Sequence, residues 1–280
     1  MSGFARRFLR NTGAVAGLMI LAAILVVALA APLLFPDSPW MMVADPLILP
    51  FQDGQYPFGT DMLGRDIGAG LAYGARVSLM IGAVSTAVAV LAGIAIGAAA
   101  GYHGGWVDDL LMRVTEFFQT IPQLAMAVVL VAILTPSIGS IVAAIAIVSW
   151  PPVARLVRGE FLTLREREFV QAAVVIGQHP GRIMLTQILP NAMSPIIITA
   201  SLMVATAILT ESALSFLGLG DRNMMSWGFM IGASRTMLRE APWMSLMPGV
   251  AILLTVLAIN LIGEGLNDAL NPQLRHRGED

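Results

Sequence analysis

The chain alternates between long apolar blocks and short polar breaks, and the blocks have the length of bilayer crossings. A crossing helix needs about 20 predominantly apolar residues. Residues 13–34 and 79–100 each meet that need without a charged side chain. The next apolar block, after Phe118, is too long for one pass and is interrupted by Pro136, Ser137 and Gly139, so it divides into 119–134 and 138–153. Both halves are short, and residues 114–118 and 154–157 extend them. A fifth span is predicted over about 193–216 and a sixth over about 246–262. The pattern predicts an all-α integral membrane protein with six transmembrane helices, an even number that returns both termini to one side.

Arginine distribution predicts which side that is. Cytoplasmic loops of membrane proteins carry the excess of basic residues. Arg6, Arg7, Arg10, Arg113, Arg155, Arg158, Arg165, Arg167, Arg182, Arg275 and Arg277 fall on the side of the termini; the opposite loops carry Arg65, Arg76, Arg222, Arg235 and Arg239. Residues 1–12, 102–116, 155–190 and 265–280 are therefore expected in the cytoplasm, and 35–78 and 218–245 outside. The first block reads as a retained start-transfer helix, since its apolar stretch is long for a cleaved signal.

Composition agrees with a membrane location and removes several chemistries. Hydrophobic residues make up 57% of the 280 and charged residues 12%, with a mean hydropathy of +0.78, far from ordinary globular usage. The net charge of -2 gives no footprint for nucleic acid, and all 16 basic residues are arginine, so no lysine is available for a phosphate loop or a Schiff base. There is no cysteine, hence no disulfide, thiolate metal site or thiol nucleophile. His103, His179 and His276 are scattered without ligand spacing, and the adjacent Asp108 and Asp109 point in different directions on a helix. Glu166 and Glu168 alternate with Arg165 and Arg167 as a solvated face, and no nucleotide-binding G-x-x-x-x-G-K-[ST] loop is present. The chain reads as non-catalytic, without metal or cofactor of its own.

Within the spans, Gly93, Gly97 and Gly101, with Ala89 before them, form a smooth stripe that lets another backbone approach closely. The contact is either with a helix of the same chain or with another subunit. A charge at membrane depth needs protein or water beside it. Glu211, between Thr210 and Ser212, therefore either lines a translocation path, pairs with an arginine or is hydrogen-bonded to a neighbouring helix. Asn260 is expected to be buried as an interhelical hydrogen-bonder, Glu264 and Asp268 to anchor the end of span six, and Trp150, Trp227 and Trp243 to sit at the interfaces.

Two polar stretches carry more specific information. Residues 169–190, FVQAAVVIGQHPGRIMLTQILP, form a polar island that reads as short helix, glycine break and second short helix. Gln171, Ala172, Ala173, Gly177, Leu189 and Pro190 resemble, in type and spacing, the signature cytoplasmic loop of permease subunits of binding-protein-dependent ABC importers. Gln171 stands where that family usually has glutamate, and Gln187 where isoleucine is common. Earlier, YPFGTDMLGRDIGAGLAYGARVSL has turn residues at Pro57, Gly59 and Gly64, and Asp61, Arg65 and Asp66 are placed to form a small ion-paired cap. This run resembles the C-type permease of the subfamily that imports dipeptides, oligopeptides, nickel and glutathione. Further similar residues are Tyr102, Gly104, Gly105, Asp108, Met112, Arg113, the run 213–220, Trp227 and Gly228, and the stretch from Met247 to Pro272.

The resemblance implies a type I ABC importer permease (MetI-like) fold in the bacterial plasma (inner) membrane. It implies a first segment, 1–78, with the first helix and an extracytoplasmic loop, in which Asp61, Arg65 and Asp66 are expected to support either the loop fold or receptor docking. A five-helix core over 79–268 would carry the coupling loop 155–190, followed by a cytoplasmic tail, 269–280. The implied partners are a homologous B-type permease subunit, one or two ABC ATPase subunits holding the ATP and magnesium, and an extracytoplasmic solute-binding protein. The implied solutes are di- and oligopeptides, with nickel or glutathione as the alternative within the subfamily. A stand-alone secondary transporter would leave the coupling-like loop without a task.

Overall fold

Among residues 3–270, which the computed structural model describes, regular structure is helical apart from two isolated bridges, Met42 with Arg65 and Thr60 with Asp66. Helix α1 (Gly3–Arg10) meets α2 (Thr12–Leu34) at Asn11, whose side chain accepts from Ala14 N and caps α2. The same amide donates to Asp268 at 2.8 Å, tying the start of α2 to the end of the last helix.

The loop from 35 to 66 is ordered by its own polar groups. Buried Thr60 accepts from Ile48 N at 2.9 Å and donates to Asp45 O at 2.7 Å. Gly59 and Gly64 have φ of 79° and 75°, and a Cβ on either would run into a carbonyl oxygen, Ile48 O or Ala44 O. The turns expected at these glycines are present. The loop is shorter than predicted, however, because α3 spans Ile67–His103 and begins twelve residues before the anticipated span. Its first turns are built from small residues that pack rather than from long apolar ones. Gly74 lies under Trp227, and Gly70 faces Met230.

The middle of the chain departs most from the predicted spans. Helices α4 (Gly105–Thr120) and α5 (Gln123–Leu134) are bent by 88° at Ile121 and Pro122. The 12 residues of α5 measure about 18 Å at 1.5 Å per residue, short of a hydrocarbon core of about 30 Å. Helix α6 (Ile138–Arg165) starts in a capping box between Ser137 and Ser140 and continues twelve residues past the predicted end. After α7 (Glu168–Val175), α8 (Pro180–Ile183) runs through a π-helical turn, Met184–Ile188, straight into α9 (Leu189–Leu214) and a second π turn, Ser215–Leu219. The second short helix expected before span five is thus the beginning of that span. Leu189 N donates to Met184 O, five residues back, so the chain enters Pro190 on a widened turn instead of breaking there. A short α10 (Trp227–Ser234) precedes α11 (Trp243–Leu270). Among the described residues five stretches, α2, α3, α6, Pro180–Leu219 and α11, are long and apolar enough to cross a membrane; the bent α4 and α5 make a sixth only if they count as one pass.

Packing fixes the helix directions. The glycine stripe of α3 meets α6 in parallel: Gly93 faces Val153, Gly97 faces Val157 and Gly101 faces Phe161. Of the two uses open to the stripe, the structure has the contact within the chain. Helix α2 runs against α11, with Gly17 on Ala258 and Ala14 on Gly265, and α9 runs against α3, with Ile208 on Gly82. The ends near residues 12, 103, 165, 180 and 270 therefore share one end of the bundle, and those near 34, 67, 138, 219 and 243 the other.

Two expectations about tryptophan change. Trp227 is 2% exposed; its indole donates to Leu71 O at 3.0 Å and its backbone N to Ser78 Oγ at 3.2 Å. Trp150 is buried against Phe118, ring centroids 5.4 Å apart. Both are core residues rather than interface anchors, because the Trp227 indole finds a carbonyl inside the bundle and the Trp150 ring packs edge-on against Phe118.

Candidate functional site

The end of the bundle near residue 165 carries a protruding platform. Gln171 Nε2 donates to Arg165 O at 3.0 Å, which folds α7 back across the end of α6. Val170 and Ala173 are buried, in one cluster with Phe161, Ile183 and Ile188. Ala172 lies on the exposed side with Gln171. Helix α7 closes on Gly177, φ 76°, with Gly177 N donating to Val174 O and Gln178 N to Ala173 O. A left-handed residue here is strained for any L side chain, yet a Cβ would meet nothing within 4 Å. The glycine serves the turn and leaves its outer side open. His179 then caps α8 by accepting from Gly181 N.

The structure adds residues that pattern reading passed over. Val174, Val175 and Ile176 are 50%, 85% and 73% exposed. They form an apolar knuckle at a tight turn outside the helices long enough to cross a membrane. Their signal in the sequence was the unbroken Val-Val-Ile just before a glycine. Leu189 is half-buried and Pro190 exposed, both inside the continuous helix and away from that knuckle.

The other sequence candidates fall in separate places. Asp61 pairs with Arg65 at 2.6 Å and accepts from Leu63 N and Arg65 N, while Asp66 stays out of the ion pair and caps α3 by accepting from Gly68 N at 2.7 Å. Burial pushes the Asp66 carboxyl above its ordinary value in spite of backbone hydrogen bonds that act the other way. Arg65 also lies over the Trp40 ring, 5.4 Å from its centroid.

Glu211 is 1% exposed and has no arginine beside it. Its Oε1 accepts from Ser215 Oγ at 2.8 Å and Ser226 Oγ at 2.7 Å, and Ser226 in turn caps α10. Within this chain it is a structural acceptor that binds α10 to the end of α9. Asn260, expected to be buried, is exposed, and Ile259 beside it takes the inward position; one residue along a helix turns the side chain by about 100°. Asp108 and Arg158 form an ion pair across α4 and α6 that sequence reading did not connect. Among the described residues no group of three or more His, Asp or Glu is placed to hold a metal ion; His276 and the tail from Asn271 lie outside them.

A helical bundle of apolar spans with a protruding platform at one end defines a multi-pass membrane protein. The chain matches the model of the binding-protein-dependent transport system inner membrane component over residues 93–276, and that of the N-terminal transmembrane domain of oligopeptide transport permease C over residues 1–55. It belongs to the family of binding-protein-dependent transport system inner membrane components. It is 42% identical over 267 residues, 95% of this chain and 88% of the relative, to the dipeptide transport system permease protein DppC of Alkalihalophilus pseudofirmus. Identity is 41% to the di/tripeptide transport system permease protein DppC of Pseudomonas aeruginosa, covering 98% of this chain and 92% of that one. With the oligopeptide transport system permease protein OppC of Haemophilus influenzae it is 40%, covering 96% and 88%. The inward-facing MetNI methionine ABC transporter shares the fold, with TM-score 0.57 and 16% identity over 70% of this chain and 93% of that one.

Proposed function

We propose that this chain is the C-type permease subunit of an ATP-driven importer of di- and oligopeptides, and that α7 with its closing turn is where separate ATPase subunits push. The observation that carries the reading is the knuckle Val174–Val175–Ile176 held out over Gly177 while Val170 and Ala173 root the same helix in the core. Gln171, Ala172, Ala173 and Gly177 form this docking unit; Leu189 and Pro190 transmit its movement into the Pro180–Leu219 helix. ATP and magnesium belong to the ATPase partners. A homologous B-type permease completes the pathway, and an extracytoplasmic solute-binding protein delivers solute to the end that bears Asp61, Arg65 and Asp66. The substrate assignment is supported by relatives named for dipeptides, di/tripeptides and oligopeptides.

The same reading takes α4 and α5 as one bent pass, giving six crossings with both termini cytoplasmic, a first segment over 1–78, a core over 79–268 and a tail over 269–280. The basic residues on the shared end of α2, α6 and α8 support that orientation. Introduced cysteines test it in this cysteine-free chain: the Gln52→Cys variant should label from outside in sealed cells, and the Gln178→Cys variant should not.

The functional test is the Gly177→Trp variant in the reconstituted complex. ATP hydrolysis should become uncoupled from uptake, or the ATPases should fail to assemble; normal coupling counts against the docking assignment. Uptake of labelled peptides, nickel and glutathione in cells lacking this chain then separates the solutes. Intact peptide uptake with selective loss of nickel or glutathione would reject the peptide reading and leave the importer standing.

A further inference from the structure

A polar strip runs down the face where α4, α5 and α6 meet, and nothing described so far uses it. Gln123 Nε2 donates to Ser149 Oγ at 3.0 Å, and Arg155 Nη1 donates to Gln119 Oε1 at 2.9 Å. Gln119, Gln123 and Arg155 are exposed in this chain and Ser149 is half-exposed. Ser149 lies eleven residues into α6, about 16 Å along the axis and so near the middle of a core of about 30 Å. Pro151 and Pro152 stand inside α6, so the carbonyls of Ile147 and Val148 lose their usual donors four residues on. The break between α4 and α5 leaves Ile121 and Pro122 exposed and non-helical.

Irregular backbone and free polar groups at this depth are tolerated only where they face protein or a water-filled cavity. Here two amides and a hydroxyl share one face, with Arg155 at its cytoplasmic end. Glu211, by contrast, is enclosed, with its Oε1 held by Ser215 and Ser226.

We propose that this strip is the subunit's share of the solute path, and that it holds the main-chain amides and terminal carboxylate of an extended peptide. The chemistry is suited to a substrate of variable sequence. Glutamine and serine each donate and accept, so they match the amide group that every peptide repeats, and an arginine recognises the carboxylate that every peptide ends with. The location of the path is independent of the peptide-importer reading; the choice of ligand rests on it.

The test uses the complete importer in liposomes with Ser149→Cys or Gln123→Cys in this chain, each treated with a charged, membrane-impermeant methanethiosulfonate. Leu25→Cys, in the middle of α2, is the lipid-depth control. The expected result is modification of both path variants but not of the control, slowed severalfold by transported di- or tripeptide. Gln123→Leu should raise the KM for peptide uptake by about threefold to tenfold, the loss of one hydrogen bond. No modification of either variant, with or without ATP, would overturn the path. Modification of both path variants that transported di- or tripeptide does not slow would overturn the peptide ligand while the path stands.

Discussion

Arg158 grips Asp108 with two nitrogens, Nε to Oδ1 and Nη2 to Oδ2 at 2.6 Å, across 50 residues of sequence. The pair fastens the first turn of α4 to α6, at the end of α4 opposite the bend that leads into α5. The carboxylate is largely enclosed while the arginine side chain is about one-third exposed, so water screens the pair in part. Asp108→Ala should destabilise the detergent-solubilised protein by about 1–3 kcal/mol. Arg158→Ala should cost a similar amount, and the double variant should cost less than the sum. Thermal unfolding of the four proteins closes the cycle; simple additivity would mean that the pair does not fasten the helices.

Contact between α3 and α6 depends on the absence of side chains at Gly93 and Gly97. A Cβ on Gly97 would lie 2.8 Å from Val157 Cβ and 3.0 Å from Arg158 N, and one on Gly93 would lie 2.5 Å from Val153 Cβ. Gly97→Val should cost about 1–3 kcal/mol or more by overpacking, seen as lower folded yield and melting temperature. Gly249, whose Cβ would meet nothing, is the control, and Gly249→Ala should fold normally.

Glu211 works as an acceptor for two serines through one oxygen. Glutamine supplies the same oxygen, so Glu211→Gln should keep the fold and most transport. Glu211→Ala leaves buried hydroxyls without their acceptor, about 1–3 kcal/mol. Uptake measured on both variants decides: abolition by the glutamine variant would mean that the charge itself is needed in the path.

The Asp66 carboxyl is half-buried and raised above its ordinary value by desolvation, with Gly68 N and Ala69 N hydrogen bonds opposing. The folded protein then holds its proton more tightly than the unfolded chain does. This residue's contribution to stability therefore rises as pH falls through its folded value and declines above it. Asp66→Asn keeps a good helix cap without the buried charge. It should melt no lower than the parent at neutral pH and show a weaker change on mild acidification. Asp66→Ala should lose about 1 kcal/mol of capping.

The sequence by itself determined that this is a helical membrane protein, since apolar runs such as 13–34 have no other stable surroundings. It also marked the polar island at 169–190 and the close-packing stripe at Gly93, Gly97 and Gly101, because in each case residue type and local spacing carry the information. Tertiary structure decided which partners those residues meet. The early turns of α3 are packed because Trp227, far along the chain, covers Gly74; Asn260 turns outward because Ile259 fills the core; Arg158 finds Asp108 across 50 residues. The Val174–Ile176 knuckle was indistinguishable from a span fragment until the fold rooted Val170 and Ala173 beneath it and left its other face bare. Periodicity and composition report what a segment needs from its surroundings, but long-range packing chooses which neighbour supplies it.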